Sequence, residues 1–324
     1  MLKVFPPTRP KSPGLALVTE EDYFPVLENL LAQATREIIV MAFSFVVGDD
    51  KGLLYFQSLP FKVMEKLKAL KKEKGSSLRI RVFLEGARDT AAKNRVTAAH
   101  LKKGGIEVTM GGSHAKGFCV DGRYTLLGST NLTGQSLAKN FETNLLIDDP
   151  RVAAEFSRYF EHYWQGGQHG EIKLKAPLLA DGAFKKKLIA AIKGAKASIA
   201  FSIYFFEQAE IEAALIAAAA RGVKIRGLVH DHAKFALSDV RRTRATVERL
   251  RRAGVKGLSF SSRAIFTHSK YLVADRENVV LGSGNWLNRD VDTHPQIYVN
   301  LKHRKLGVEL ARHLKAQIVE NRPP

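Results

Sequence analysis

The sequence predicts an α/β protein in which one layered unit is built twice. At 324 residues the chain is long enough for about two domains, at roughly 100–200 residues each. Short buried-strand patterns alternate with helical periodicity along its length. The pattern of the first half then returns in the second.

Taken in order, the proline-rich MLKVFPPTRPKS reads as a surface segment, and residues 23–34 follow with helical periodicity. IIVMAFSF (38–45) and LRIRVFLE (78–85) are β-branched and apolar runs of strand length. LKKGGIEV (101–108) is a basic helix end, a glycine stop and a new strand. The second half answers each piece. Residues 184–193 are helical, ASIAFSIYFF (197–206) and VKIRGLVH (223–230) are strands, and LRRAGVKG (250–257) repeats the helix stop. Between those strands Ala209–Ala220 supplies a helix of small side chains suited to close packing on a sheet. The glycine-rich and polar WQGGQHGEIKLKAPL (164–178) marks the division. We place the domains at 1–169 and 170–324.

Composition narrows the class. Apolar residues at 45% and charged residues at 26% are those of a globular protein. No apolar run approaches the ~20 residues that span a bilayer, and no signal-type core opens the chain. A cytoplasmic location is the expectation. The single cysteine, Cys119, excludes an intramolecular disulfide framework. The 51 Lys and Arg exceed the 32 Asp and Glu, a net charge of +19. Of that excess, fourteen charges fall in residues 166–324. RRTRATVERLRR (241–252) is the densest stretch, with Arg241, Arg242, Arg244, Arg249, Arg251 and Arg252. One such run is ordinarily a solvated helix face. A half-chain excess attracts polyanions, and nucleic acid and acidic membrane surfaces both qualify.

The repeat that carries chemistry is HAKGFCVDGRYTLLGSTN, answered by HSKYLVADRENVVLGSGN. It sets His114, Lys116, Asp121, Ser129 and Asn131 against His268, Lys270, Asp275, Ser283 and Asn285, each 154 residues on. H-x-K-x4-D alone is a weak signal. With G-S-x-N at a fixed offset, and the whole repeated, coincidence is excluded. His and Lys two apart on a strand share a face, as do Ser and Asn on the next strand. Asp121-Gly122 is a favoured hairpin turn and Asp275-Arg276-Glu277-Asn278 is turn-like. Each motif is therefore a hairpin presenting His, Lys, Ser and Asn, with its aspartate in the turn. Ammonium groups cannot ligate a metal, so the set makes a poor metal site. It suits a phosphoryl group. Lysines and amides hold anionic oxygens while one neutral histidine attacks and the other, protonated, donates to the leaving oxygen.

These residues resemble the duplicated HKD motif of the phospholipase D superfamily, which includes phospholipases, phosphatidyltransferases and metal-independent nucleases. The resemblance extends over nearly the whole chain. It implies two α/β/α sandwich domains, each with a mixed sheet flanked by helices, related by a pseudo-twofold axis around one composite active site. It also implies a phosphohistidine intermediate, no cofactor or metal, and catalytic roles for His114, Lys116, Asp121, His268, Lys270 and Asp275. Ser129, Asn131, Ser283 and Asn285 join the lysines around the phosphate. By analogy His114 is the nucleophile and His268 the acid and base. An acidic residue that holds a histidine follows the asparagine in this family. Here Glu142 stands eleven residues after Asn131, but Gln296 stands eleven after Asn285. Glutamine orients an imidazole without stabilising imidazolium as a carboxylate does. The two histidines are thus expected to be unequal, with the pairing of Glu142 to either one left open.

Other residues read more plainly. Cys119 is expected to pack, and Phe205 and Phe206 to be core. His100, His162, His303 and His313 stand in helical, polar contexts without a function. His230-Asp231-His232 looks like a metal cluster, but neighbours on a strand face opposite ways, so a loop or rim role is expected. Glu85 and Asp89 can border the site with it. Trp286 is read equally as core or as a stacking surface.

Three functions follow from these features. The first is a nuclease acting on DNA or RNA, with the arginine run as its track. The second is a phospholipase D or phosphatidyltransferase acting on phospholipid. The third is a basic nucleic-acid-binding protein with an inactive site. The visible loops are polar or basic, where a lipid enzyme needs apolar ones. The tail after the first motif resembles nuclease-type members, and a polymer fits the charge better than one headgroup. Both motifs lie in one chain, so no dimer is needed to complete the site.

Overall fold

The computed structural model describes residues 14–232, 237–261 and 266–320; the proline-rich opening segment lies outside them. The first half runs β1 (Gly14–Thr19), α1 (Tyr23–Ala32), β2 (Glu37–Ala42), α2 (Leu59–Lys74), β3 (Arg79–Glu85), α3 (Ala91–Lys103) and β4 (Glu107–Gly111). It continues with β5 (Gly117–Val120), β6 (Tyr124–Gly128), α4 (Gly134–Ala138), β7 (Thr143–Asp148) and α5 (Pro150–Trp164). The second half runs β8 (Leu178–Ala180), α6 (Ala183–Gly194), β9 (Ser198–Ile203), α7 (Ala209–Ala220), β10 (Lys224–Val229), α8 (Leu237–Arg252) and β11 (Leu258–Phe260). It closes with β12 (Lys270–Ala274), β13 (Asn278–Gly282), α9 (Asn288–Asp292), β14 (Ile297–Lys302) and α10 (Arg304–Glu320).

Each half forms a seven-stranded sheet, ordered β1-β7-β6-β5-β2-β3-β4 and, from the matching edge, β8-β14-β13-β12-β9-β10-β11. The two orders are the same. In each, three strands joined by helices are parallel and the rest antiparallel, as short hairpins and long crossovers require. Helices α1 to α3 cover the outer face of the first sheet and α6 to α8 that of the second. Between the sheets, α5 and α10 share one apolar layer. Phe156, Tyr159 and Phe160 of α5 and Leu306 and Leu310 of α10 pack there with Ile39, Leu145, Tyr271 and Val299 from the two sheets. The chain connects the halves between Trp164 and Leu178, and the expected 169/170 boundary falls in that stretch.

Two local features position the site. The predicted strands 38–45 and 197–206 leave their sheets at Ala42 and Ile203. Beyond those points Phe45 bridges Leu132 and Phe206 bridges Trp286, so each chain bends over the end of its motif hairpin. Gly128 and Gly282 end β6 and β13 where the next strand passes closely. A Cβ there would lie 2.4 Å from the carbonyl oxygens of Thr143 and Ile297, so no larger residue fits.

The aspartates of the motif stand at the other end of each hairpin, which corrects their assignment to the catalytic set. Asp121 and Asp275 have left-handed backbones, φ 55° and 52°. Asp121 accepts hydrogen bonds from Thr35 N at 2.8 Å, Arg36 N at 2.7 Å and Glu37 N at 2.9 Å. Asp275 accepts from Lys196, Ala197 and Ser198 N at 2.8, 2.8 and 2.9 Å. Five residues of extended chain separate Asp121 from Lys116, roughly 16 Å at ~3.3 Å per residue. The aspartates tie the hairpin turns to the starts of β2 and β9. Each carboxyl lies below the ordinary range, because these donors outweigh the upward push of burial. Asp121→Ala and Asp275→Ala should each lower unfolding stability by about 1–3 kcal/mol. Urea denaturation measures that loss, while any turnover of the folded fraction should stay at wild-type level.

Candidate active site

Lys116 and His114 immediately precede β5, and Lys270 begins β12 two residues after His268. Both pairs stand at the open ends of their hairpins, beside Ser129 and Asn131 or Ser283 and Asn285. Each pair enters its hairpin across the other half. His114 N–H donates to Pro295 O at 2.9 Å, and His268 N–H donates to Phe141 O at 2.8 Å. The side chains cross in the same way. His268 Nδ1 lies 3.0 Å from Glu142 Oε2, and His114 Nδ1 lies 3.1 Å from Gln296 Oε1. The acidic residue of the first half therefore serves the histidine of the second, and the glutamine of the second half serves the histidine of the first.

The network fixes the tautomers. Glu142 as a carboxylate only accepts, so His268 Nδ1 carries the proton. Gln296 Nε2 donates to Asp290 Oδ1 at 2.9 Å, which turns Oε1 toward His114 and makes His114 Nδ1 a donor as well. Both Nε2 atoms are left as bare bases. Phe43 and Tyr204, at the points where the chain leaves β2 and β9, brace the two sites. Phe43 meets the His114 ring edge-on at 4.5 Å and lies 4.9 Å from Lys116 Nζ. Tyr204 meets the His268 ring at 4.8 Å and lies 5.1 Å from Lys270 Nζ. Lys116 Nζ donates to His114 O at 2.7 Å, and Lys270 Nζ donates to His268 O.

Burial of so many bases sets the electrostatics. His114 is 7% exposed and His268 8%, with both lysines deeper still, so water screens them little. Burial pushes His268 down to about 4 against the pull of Glu142. Burial, with Lys116 and Lys270, holds His114 well below its ordinary value. Lys270 falls to about 7 through burial, and Lys116 falls well below its usual range through burial and the charge of Lys270. Burial pushes the Glu142 carboxyl up, but His268, Lys270 and Ser129 pull it further down, so it is ionised. Each lysine acts on both histidines, so the four bases lie near one another. Such a site favours an anion, which supplies the counter-charge these groups lack.

Several expected roles change. Ser129 Oγ donates to Glu142 Oε2 at 2.6 Å and Ser283 Oγ to Gln296 Oε1 at 3.0 Å. The serines thus hold the histidine-orienting residues rather than the phosphate. Asn131 Oδ1 and Asn285 Oδ1 are buried and accept no hydrogen bond from the described residues. Unpaired in both halves, they are groups that a ligand can use. Trp286 packs on Phe201 and Phe206 as core. Cys119, Phe205 and Phe206 are buried. Glu85 accepts from the N–H groups of Ala87, Arg88 and Ser113 and so holds two loops at the rim. Asp89 is exposed. His230 borders the site, its ring 4.2 Å from that of Tyr204; burial pushes it down to about 3.

The arginine track is corrected most. Arg242 pairs with Asp239 at 2.7 Å, Arg249 with Glu212 at 2.7 Å and Arg251 with Glu248 at 2.8 Å, while Arg244 pairs with Asp231. Only Arg241 and Arg252 of the six lack a carboxylate partner among the described residues. The acidic partners come from other elements or from the same helix three residues away, so the run reads as free cation only when it is taken alone.

Sequence reasoning missed Phe43, Tyr204, Asp290 and His294. The first two were legible as aromatic residues at matching places in MAFSF and SIYFF. Asp290 accepts from Gln296 and also from His294 Nδ1 at 2.9 Å. It restores, one amide removed, the carboxylate that Gln296 lacks. No motif spacing marks it, because the first half has Ser136 and Asn140 at the equivalent positions.

A family model described as cardiolipin synthase, PLD-like domain matches residues 27–164 and 188–318. No curated protein matches the sequence. Among solved structures, phosphatidylserine synthase from Haemophilus influenzae Rd KW20 superposes with a TM-score of 0.74 at 12% identity, covering 94% of this chain and 86% of that one. Polyphosphate kinase from Porphyromonas gingivalis superposes at 0.65 and 16% identity, over 94% of this chain and 47% of that one. Nuc, a phospholipase D family member from Salmonella typhimurium, gives 0.39 at 22% identity, over 45% of this chain and 95% of that one. At such identities the first two likenesses speak for the fold alone.

The tautomer and charge assignment is open to direct measurement. In a long-range nitrogen–proton NMR titration, the His268 imidazole should protonate near pH 4 with Nδ1–H as its neutral form. Glu142→Gln removes the charge that favours imidazolium, so this titration should move to still lower pH. An upward move would reverse the assigned contact.

Proposed function

The chain belongs to the PLD-like domain family of the phospholipase D superfamily, and from that premise we propose a metal-independent phosphodiesterase that cleaves a nucleic-acid strand through a phosphohistidine. The observation that carries the chemistry is the crossed and unequal pairing, His268 with Glu142 and His114 with Gln296. It also reverses the roles suggested by analogy. Attack by His268 Nε2 forms the P–N bond and leaves an imidazolium whose Nδ1–H faces a carboxylate, which stabilises that charge. His114 faces only an amide, so its imidazolium is the stronger acid and the better donor to the leaving oxygen. The anionic phosphodiester between the lysines offsets the burial that otherwise keeps His114 neutral. Lys116, Lys270 and the amides of Asn131 and Asn285 hold the non-bridging oxygens. In the second step His114 Nε2 takes a proton from water, the resulting oxygen attacks phosphorus, and the P–N bond breaks to restore His268.

Two features support a nucleic acid. The net charge of +19, most of it in the second half, attracts a polyanion. The histidines are less than a tenth exposed, at 7% and 8%, so the phosphate must enter a recess. One flexible strand can do this; an intact duplex holds its phosphates against a stiff, wide cylinder. One chain completes the site. Among the described residues no helix is long and apolar enough to cross a membrane, and a cytoplasmic location goes with this reading.

One observation favours the second reading, a phospholipid headgroup. The loop after β2 exposes Leu53 (67%), Tyr55 (41%) and Phe56 (64%) at one tip. Its backbone is set by Asp49 N–H on Leu53 O at 2.9 Å and Tyr55 N–H on Val47 O at 2.8 Å. Here is an exposed apolar loop, contrary to the expectation of polar loops. It leaves the same strand end as Phe43, and it suits either a bilayer surface or stacked bases.

The substrate is tested by incubating the protein, in excess EDTA, with labelled single-stranded DNA, duplex DNA, RNA and phosphatidylcholine vesicles. Single strands should be cut; release of choline alone would transfer the assignment to lipid, binding without release would mark an inert site, and arrest by EDTA would sink the metal-free mechanism. The roles are tested with a phosphodiester bearing a p-nitrophenolate group, which leaves without a proton. His114→Ala should give a burst and an acid-labile phosphoenzyme on His268, with steady turnover lowered roughly 10²–10⁴-fold. His268→Ala should give no burst. Phosphate found on residue 114 would restore the analogy.

A further inference from the structure

A second recess lies beside His114. It is a cleft of about 420 Å³ between the loop after β3 and the connection that follows α5. Phe83 and Trp164 form apolar walls, and Arg88, His169, Thr293 and Pro295 line the rest. Pro295 joins it to the site, since its carbonyl accepts the His114 N–H at 2.9 Å. Arg88 stands at the junction, near enough for its charge to reach both His114 and Lys116.

Two of its lining residues each carry a buried polar atom without a hydrogen-bond partner, Arg88 Nη1 and His169 Nε2. Arg88 Nη1 is 3.3 Å from Glu85 Oε2, but misaligned, so the ion pair leaves its donor unused. Buried donors without partners are costly and seldom kept without a ligand or water. Neither residue is loosely held. Arg88 N and Ala87 N donate to Glu85 Oε1 at 3.1 and 2.6 Å, fixing the Arg88 loop. Around His169, Gly167 N donates to His162 O at 2.8 Å and Gly170 N to Asp181 Oδ2 at 2.8 Å. Gln168 N donates to Glu171 Oε2 at 2.9 Å. An arginine and a histidine on pinned loops, both lining one recess, make a preorganised place for an anion.

The pieces that build the cleft differ between the halves where both are described. The position equivalent to Glu85 in the second half is His230, because Arg79 and Lys224 hold the same register against β2 and β9. The connection after α5 joins the halves and exists once. A chain of phosphates leaving the composite site past His114 would meet this cleft, since Pro295 belongs to both.

We propose that this cleft binds the next phosphate of a nucleic-acid strand on the leaving-group side, with Arg88 and His169 donating to its non-bridging oxygens. This rests on the nucleic-acid reading above. It gives the enzyme a direction along the strand, with Phe83 and Trp164 flanking the sugar or base between the two phosphates.

The test compares three substrates: bis(p-nitrophenyl) phosphate, a dinucleoside monophosphate, and the same dinucleoside with one further phosphate on the leaving side. Wild-type kcat/KM should be roughly tenfold higher for the third than for the second, as one charge-assisted contact provides. His169→Leu, His169→Gln and Arg88→Met should each remove that preference, chiefly by raising KM. His169→Leu should leave hydrolysis of bis(p-nitrophenyl) phosphate unchanged, with an unaltered unfolding midpoint showing that the loop still folds. A preference that survives in all three variants overturns the subsite and leaves the nuclease reading standing. If the wild type hydrolyses bis(p-nitrophenyl) phosphate but neither nucleotide, the strand reading fails and the subsite with it.

Discussion

Everything in this molecule depends on an exchange of hydrogen bonds between its halves. His268 is oriented by Glu142 and His114 by Gln296, while the backbone of each histidine is anchored on the segment that carries the opposite orienting residue. Neither half contains a complete site. The apolar layer of α5 and α10 between the sheets must therefore hold the halves in one register, because imidazole hydrogen bonds at about 3 Å tolerate little displacement. The buried contact of Thr143 Oγ1 with Ser269 Oγ at 2.7 Å belongs to the same seam. The exchange is reciprocal, as expected for two similar units facing one another across an axis.

The second constraint is electrostatic. Four bases share a recess with one directly paired carboxylate, Glu142, and a second, Asp290, acting through an amide. Burial drives the lysines and histidines toward neutrality, and each lysine opposes protonation of its neighbours. The positive charge of these groups is thus poorly compensated within the protein, as the proposed anionic substrate requires. Strain of this kind is usual where binding and catalysis coincide. In the proposed mechanism the difference between glutamate and glutamine divides the labour, favouring imidazolium on one histidine and proton release from the other.

The substrate question turns on features that look alike in composition and differ in space. The arginine-rich helix supplied much of the case for a polymer track, yet four of its six side chains face carboxylates. The polymer reading now leans on the overall charge and on the narrow recess. The apolar tip at Leu53, Tyr55 and Phe56, which suits a bilayer surface or stacked bases alike, is one that no hydropathy window separates from an ordinary buried run. Whether GLLYF points inward or outward is a matter of where its loop leaves β2.

By itself the sequence determined the fold class, the duplication and the repeated His–Lys–Ser–Asn motif. Those are written in local patterns: strand and helix periods, the glycine of G-S-x-N that allows two strands to touch, and side chains at spacings that put His and Lys together. The predicted strands and helices also agree closely with the observed ones for this reason. Tertiary structure decided everything that depends on distance between remote residues. It carried Glu142 across to His268, tied the turn aspartates Asp121 and Asp275 to the starts of β2 and β9, and gave Ser129 and Ser283 a supporting task. It also paired the arginines, turned Phe43 and Tyr204 toward the bases, and brought Asp290 behind Gln296. A hydrogen bond or ion pair is a property of separation and angle, and no spacing along the chain specifies either between two halves that meet only when both have folded.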